Sequence, residues 1–264
     1  MTMETIVLMD CKVSLGIVTY NSQDKIGNAV SSIKTHTNSV NYKLFVFDNG
    51  STDDTKAIVL KADPDAEFIS TGKNLGFGKA HNLAIPLIDS KYHAVVNPDI
   101  ILDSDVLSQM VEYMEANPDV ALAIPKVLFP DKSEQKLPKL KPKLIYLLAR
   151  RTPFFRAKAQ EYTMENIKID CPLEIDQCTG CFMFIRTDVF KALGGFDERF
   201  FMYMEDADLT LRTKKYGKTM YLPHISVIHE WERSSAKSLK YLMIHLSSCF
   251  KFLIKHRKKK ESKE

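Results

Sequence analysis

The chain has 264 residues, a formal net charge of +4, 45% hydrophobic and 27% charged residues. That length can bury a full core, and the composition is that of an ordinary globular protein rather than a disordered or fibrous one. The small net charge argues against a nucleic-acid binder, and five cysteines, an odd number, argue for free thiols in a reducing compartment rather than a disulfide framework.

In chain order, VSLGIVTY from Val13 is a nearly continuous apolar run and predicts a buried parallel strand. A helix is expected over Asn21 to Thr37, then a second strand over Leu44 to Asp48, closed by the turn Asn49-Gly50-Ser51. A helix from Asp53, a short strand from Glu67, a helix over Gly78 to Ile85 and a strand over His93 to Asn97 follow. Asp103 to Asn117 predicts a helix and ALAIPKVLF, from Ala121, a fifth strand. Strands alternating with helices imply a mostly parallel sheet, whose ligands gather at the C-terminal strand ends. Those ends carry Thr19-Tyr20-Asn21, Asp48-Asn49-Gly50-Ser51 and Asn97-Pro98-Asp99, so one crevice lined by all three is expected. Taken singly, each is also ordinary turn chemistry.

From Pro130 to Lys143 lysines and prolines recur without periodicity, which predicts a mobile loop. A basic aromatic stretch follows, with Arg150 to Arg156 at its centre, then a strand over Cys181 to Arg186 and a helix over Asp188 to Leu193. Cys178 and Cys181 form a lone CxxC that lacks the further ligands of a zinc site and fits core packing. The segment Gly194 to Gly217 then sets Glu205, Asp206 and Asp208 against Phe200, Phe201, Met202, Tyr203 and Met204. A helix from about Asp206 to Gly217 would put Glu205 and Asp206 at its N-terminus, where the dipole favours ionised carboxylates. Apolar bulk beside a carboxylate suits a catalytic base; the plainer alternative is that Asp206 caps the helix. Two short strands are expected near Met220 and Val227.

The tail from Ser238 to Ile254 has helical apolar spacing at Leu239, Leu242, Met243, Leu246, Phe250 and Leu253, with Lys251, Lys255 and Arg257 to Lys260 beside it. A basic amphipathic helix reads as contact with an anionic membrane surface, the alternative being a helix packed on the domain. The expected division is 1–237 for the globular part and 238–264 for this tail. The N-terminus has no basic start followed by an apolar core, and no apolar run is long enough to span a bilayer. A cytoplasmic protein, peripheral on the inner face of the membrane, is therefore expected. No phosphate loop of the form GxxxxGK[ST] and no GxGxxG after the first strand are present, which leaves a dinucleotide enzyme unsupported.

The series VSLGIVTYN, FVFDNGSTDDT, NLGFGKAHN, VVNPD, TGCFMFIR, GGFDERFFMYMEDADLTLR and IHEWERSS resembles family 2 glycosyltransferases, in particular the bacterial rhamnosyltransferase-like branch with an Asn-Pro-Asp motif. The resemblance runs from about Val13 to Ser235. It implies an α/β GT-A fold, a Rossmann-like nucleotide-binding sheet merged with an acceptor-binding half. Thr19, Tyr20 and Asn21 would hold base and ribose, and Asp48 would accept the N3–H of uracil or thymine. Asn74, Gly76, Asn82 and Asn97 would border the nucleotide, Gly76 by allowing close backbone approach. Asp99 and His229 would hold a divalent cation, Mn2+ or Mg2+; Asn97 replaces the first aspartate of the family's usual Asp-x-Asp. Asp206 would be the base of an inverting transfer, with Glu205 and Asp208 as alternatives and Arg212 and Arg233 as possible fixed charges. The implied partners are a dTDP- or UDP-sugar donor, first of all dTDP-L-rhamnose, and a lipid-linked saccharide acceptor in surface-polysaccharide synthesis. A UDP-hexose or UDP-N-acetylhexosamine enzyme is the alternative within the class, and a non-catalytic sugar-nucleotide-binding protein the alternative outside it.

Overall fold

The computed structural model describes residues 11–137, 139–149, 156–164, 166–230 and 239–257. Its elements run β1 Val13–Thr19, α1 Ile26–His36, β2 Tyr42–Asp48, α2 Thr55–Ala62, β3 Glu67–Ser70, α3 Phe77–His81 and β4 Tyr92–Val96. Next come β5 Ile100–Ile101, α4 Val106–Ala116, β6 Val120–Leu128, α5 Leu144–Ala149, α6 Arg156–Thr163 and β7 Leu173–Glu174. The chain continues through β8 Phe182–Arg186, α7 Thr187–Ala192, α8 Glu205–Thr213, β9 Lys218–His229 and α9 Leu239–Lys255.

The described strands form one nine-stranded sheet in the order β3-β2-β1-β4-β8-β6-β9-β5, with β7 beside β9. Strands β3, β2, β1 and β4 pair in parallel, and β6 pairs in parallel with β9. The mostly parallel expectation holds for the first half only: β8 runs antiparallel to both β4 and β6, and the short β5 and β7 run antiparallel to β9, so the described sheet is mixed. That inversion places the start of β8 at the same edge as the C-terminal end of β4, since Val96 is opposite Phe182. Every residue of β1 and of β4 is buried, which is why both read as unbroken apolar runs. One apolar cluster on the sheet includes Val13, Leu15, Val30, Val46, Val106 and Phe184; a second includes Phe45, Phe47, Val95, Phe190 and Phe196.

Three expectations change. The two short strands near Met220 and Val227 are halves of one twelve-residue strand, β9. Its register against β6 jumps between Pro125↔Leu222 and Lys126↔Ser226. Pro125 and Pro223 have no N–H to give a ladder, so the pair bulges there and re-forms. The Pro130–Lys143 segment is anchored in its described part. Gln135 N donates to Val127 O, Glu134 bridges to Leu128, and Lys139 bridges to Gln177. The helix expected from Asp206 to Gly217 is α8, which starts one residue earlier at Glu205 and ends at Thr213.

The CxxC expectation holds: Cys178 and Cys181 are buried free thiols, and burial pushes Cys181 up to about 12. No helix among the described residues is long and apolar enough to cross a membrane. Trp231 to Ser238, Arg150 to Phe155 and Lys258 to Glu264 lie outside the described residues, and with them Arg233, most of the basic aromatic stretch and the last lysines.

Candidate active site

Register alone brings the polar strand ends together. Thr19 is paired with Asp48, and Asp48 with Ser70. Asn97 N donates to Cys181 O, just before β8 begins. Asp48 is buried; its carboxylate accepts Ser51 N at 3.1 and 3.2 Å and Ser70 Oγ at 3.4 Å. A carboxylate offers about four lone-pair sites, so acceptor capacity is left for a ligand N–H. Thr19 is buried, and its Oγ1 has no hydrogen-bond partner among the described residues. Tyr20 is half exposed beside it. Asn21 knits two loops together: its N–H donates to Ser51 Oγ at 2.8 Å and its Oδ1 accepts Thr52 N at 2.9 Å.

Farther along this rim, Asn74 Oδ1 accepts Gly76 N at 2.9 Å. Gly76 has φ +84°, and a Cβ there would overlap the Phe201 carbonyl. The close approach expected of this glycine is therefore made to the Phe201 backbone. Phe77 N also donates to Phe201 O at 2.9 Å. Asn82 is tied to the chain ahead of Phe201. Its Nδ2 donates to Phe196 O at 2.9 Å and its Oδ1 accepts Phe196 N at 2.8 Å, so both ends of the amide are engaged by the loop before α8.

Asp99 and His229 meet because β5 pairs with β9, with Ile100 opposite His229. Asp99 Oδ1 lies 3.2 Å from His229 Nε2, and neither atom has a hydrogen-bond partner among the described residues. Gln135 Nε2 donates to the His229 carbonyl at 3.0 Å, which turns Gln135 Oε1 toward His229 Nδ1 at 3.3 Å. In the tautomer with its proton on Nδ1, that nitrogen donates to Gln135 Oε1 and Nε2 carries a lone pair. Two buried acceptors at that range repel unless a proton or a cation lies between them. An imidazole and a carboxylate suit a divalent cation such as Mn2+, with its second shell supplied by Gln135. No third His, Cys, Asp or Glu completes a cluster among the described residues.

The acidic pair sits across the start of β8. Gly180 N donates to Asp206 Oδ2 at 3.2 Å, and Ala207 N to Asp206 Oδ1 at 2.7 Å. The charges of both Asp99 and Asp206 act on the Cys181 thiol, so both acidic groups are near this strand start. Asp206 is not the N-cap of α8. Met204 holds that position, with φ +68° and no side-chain cap bond. Glu205 departs from the expectation of an ionised group. It is buried, Oε2 has no partner among the described residues, and burial, then the Asp206 charge, raises its pKa well above the ordinary value. Desolvating a carboxylate costs several kcal/mol, whereas a helix N-terminus returns about 0.3–1 kcal/mol. Asp208, the other alternative base, is fully buried and held by Arg212 Nε at 2.8 Å, Lys255 Nζ at 2.5 Å and His256 Nε2 at 2.7 Å. It is a structural charge, and Arg212 is its partner.

Three contributors were given no role of their own by sequence reasoning, although Asn49 was named within a strand-end motif. Gln135 lies in a segment read as loop, and its burial against His229 has no local signal. Asn49 spans from the β2 end to the next loop: Nδ2 donates to Gly76 O and Oδ1 accepts Leu75 N. Gly180 belongs to the quoted TGCF motif, where the absence of a side chain beside Asp206 was the available hint.

The description "Glycosyl transferase family 2" matches residues 14–194, and "N-terminal domain of galactosyltransferase" matches residues 160–236. The chain is 30% identical over 226 residues to the N-acetylglucosaminyl-diphospho-decaprenol L-rhamnosyltransferase of Mycobacterium tuberculosis, covering 78% of this chain and 72% of that protein. It is 27% identical over 257 residues to the rhamnosyltransferase WbbL of Escherichia coli K12, covering 91% and 92% respectively. Among solved structures it is similar to a mannosyltransferase from Pyrobaculum calidifontis in complex with GDP-Man and Mn2+. There the TM-score is 0.64 at 16% identity, over 93% of this chain and 65% of that one.

Proposed function

The chain belongs to glycosyl transferase family 2 and has the GT-A fold, and from that premise we propose that it is an inverting, cation-dependent enzyme moving a sugar, first of all L-rhamnose from dTDP-L-rhamnose, to a lipid-linked saccharide. The reading rests on one observation above the rest: a single sheet edge carries Asp48, the facing pair Asp99 and His229, and Asp206 beyond the start of β8. The names of the Mycobacterium tuberculosis and Escherichia coli relatives support the sugar, and the first of them supports the lipid-linked acceptor.

In this reading Thr19, Tyr20, Asn21 and Asp48 hold the nucleoside, with Asp48 accepting N3–H of thymine or uracil. Asn74, Gly76, Asn82 and Asn97 border it. Asp99 and His229 hold a divalent cation, which when bound would neutralise negative charge on the departing nucleoside diphosphate. Asp206 takes the proton of the acceptor hydroxyl as that oxygen bonds to the anomeric carbon and the bond from that carbon to the diphosphate breaks. Attack from the face opposite the leaving group inverts the centre. Glu205, buried and with its pKa raised, stands beside Asp206 in the chain.

The acceptor's lipid places the enzyme at an anionic membrane surface. Leu239, Met243, Leu246, Phe250 and Ile254 are exposed along one face of α9 and offer the apolar contact. Asn97 in place of a carboxylate is the one feature that favours a non-catalytic nucleotide binder. A thermal-shift panel separates these readings, because a ligand that binds only the folded state raises the melting temperature. With Mn2+ present, dTDP- and UDP-sugars should raise it and GDP-sugars should not. The dTDP-L-rhamnose sample should also release dTDP slowly by hydrolysis. Equal shifts with GDP-sugars would refute the thymine- or uracil-nucleotide donor, and binding without any turnover would favour the non-catalytic binder.

A further inference from the structure

Helix α9 lies far from α8 in sequence, yet one of its faces grips the segment that leads into α8. Ser248 Oγ donates to Met202 O at 2.8 Å, and Lys251 Nζ to Arg199 O at 2.8 Å. Lys255 Nζ reaches Asp197 Oδ2 at 2.7 Å and Asp208 Oδ1 at 2.5 Å. Phe252 is buried with Phe200, Met204 and Ala207 in an apolar cluster of its own. The segment so gripped is strained. Tyr203 and Met204 both hold left-handed backbone, with φ of 70° and 68°, immediately before Glu205 and Asp206. Consecutive non-glycine residues keep that conformation only where their surroundings over-determine it. On its other side the segment is fixed by Phe77 N and Gly76 against Phe201 O.

We propose that α9 is a strap over the 197–204 segment that aims Asp206, with Ser248 and Lys255 as positioning residues. On this proposal the tail over 238–264 works together with the globular part over 1–237. The tail supplies one of the two walls that hold the strained turn, and the turn sets where the first two residues of α8 point. This inference rests on Asp206 being the base, but its structural half does not depend on turnover.

The test uses the full chain and the variants Ser248→Ala, Lys255→Met and Lys255→Arg. Amide hydrogen exchange reads the strap directly. Residues 199–208 should exchange faster in Ser248→Ala and Lys255→Met, while 13–48 keep wild-type protection. Turnover should fall about tenfold to a hundredfold in kcat, the scale of a small misplacement of a reacting group, with KM for the sugar nucleotide unchanged. Lys255→Arg, which keeps the charge, should restore both. Unchanged exchange at 199–208 would overturn the strap, as would a general loss of protection across 13–48. Faster exchange with wild-type kcat would overturn the positioning role. A wild-type chain that transfers no sugar would sink the proposed function instead, leaving the strap to be decided by exchange alone.

Discussion

Asp206 has a backbone N–H on each carboxylate oxygen, while Glu205, one residue earlier, is buried with Oε2 unpartnered among the described residues. The two acids therefore sit in different surroundings. Asp206→Asn keeps size and one of the two acceptor oxygens, sets an NH2 against the other backbone N–H, and cannot take a proton. Transfer should fall by about 10²–10⁴-fold, the usual worth of a general base, with the nucleotide-induced thermal shift retained; near-normal turnover would remove Asp206 from the role. For Glu205 the sign follows from linkage. Its folded pKa lies above that of the unfolded chain, where glutamate titrates near about 4.3. Its contribution to stability is thus whole below that pH and is lost as pH rises toward the folded pKa. Glu205→Gln removes the titration. Calorimetry should find the variant more stable than wild type at pH 8 and equal to it near pH 4. Equal melting temperatures at both would mean that Glu205 is ionised in the fold.

At the scale of elements, α9 presents two faces. Ser248 and Phe252 are buried toward the segment before α8, whereas Leu239, Met243, Leu246, Phe250 and Ile254 are 44–74% exposed. Periodicity predicted the helix but could not say which apolar residues faced inward. The sequence alternatives, membrane contact or packing on the domain, are both open to one helix with two faces. Lys251 and Lys255, read as membrane charges, are engaged by Arg199 O, Asp197 and Asp208. The exposed side chains can be tested without disturbing the seated face. Each large apolar side chain is worth about 1.5–3 kcal/mol on full burial. Leu246→Ser with Phe250→Ser should therefore cut co-sedimentation with anionic vesicles at least about tenfold. Unchanged co-sedimentation would remove this face from the membrane reading.

For the molecule as a whole, the strands that were legible are those buried on both faces. Val13–Thr19 and Tyr92–Val96 carry their burial as continuous apolar runs, and their polar ends were visible as interruptions. The sheet order, the reversal of β8 and the joining of two short strands across Pro125 and Pro223 carry no comparable local signal, because each depends on which distant strand supplies the hydrogen bonds. The same holds in the site. Sequence by itself determined the residue types and their order: Asp48 at one strand end, Asp99 at another, His229 late, and an acidic pair among aromatics. Tertiary structure alone decided that His229 faces Asp99 with Gln135 behind it, that Gly76 abuts Phe201, and that Asp208 is tied to α9. It also decided the direction in which the Glu205 pKa moves. Local chemistry favoured an ionised group at a helix start, but burial by residues far along the chain removes the water that a charge requires.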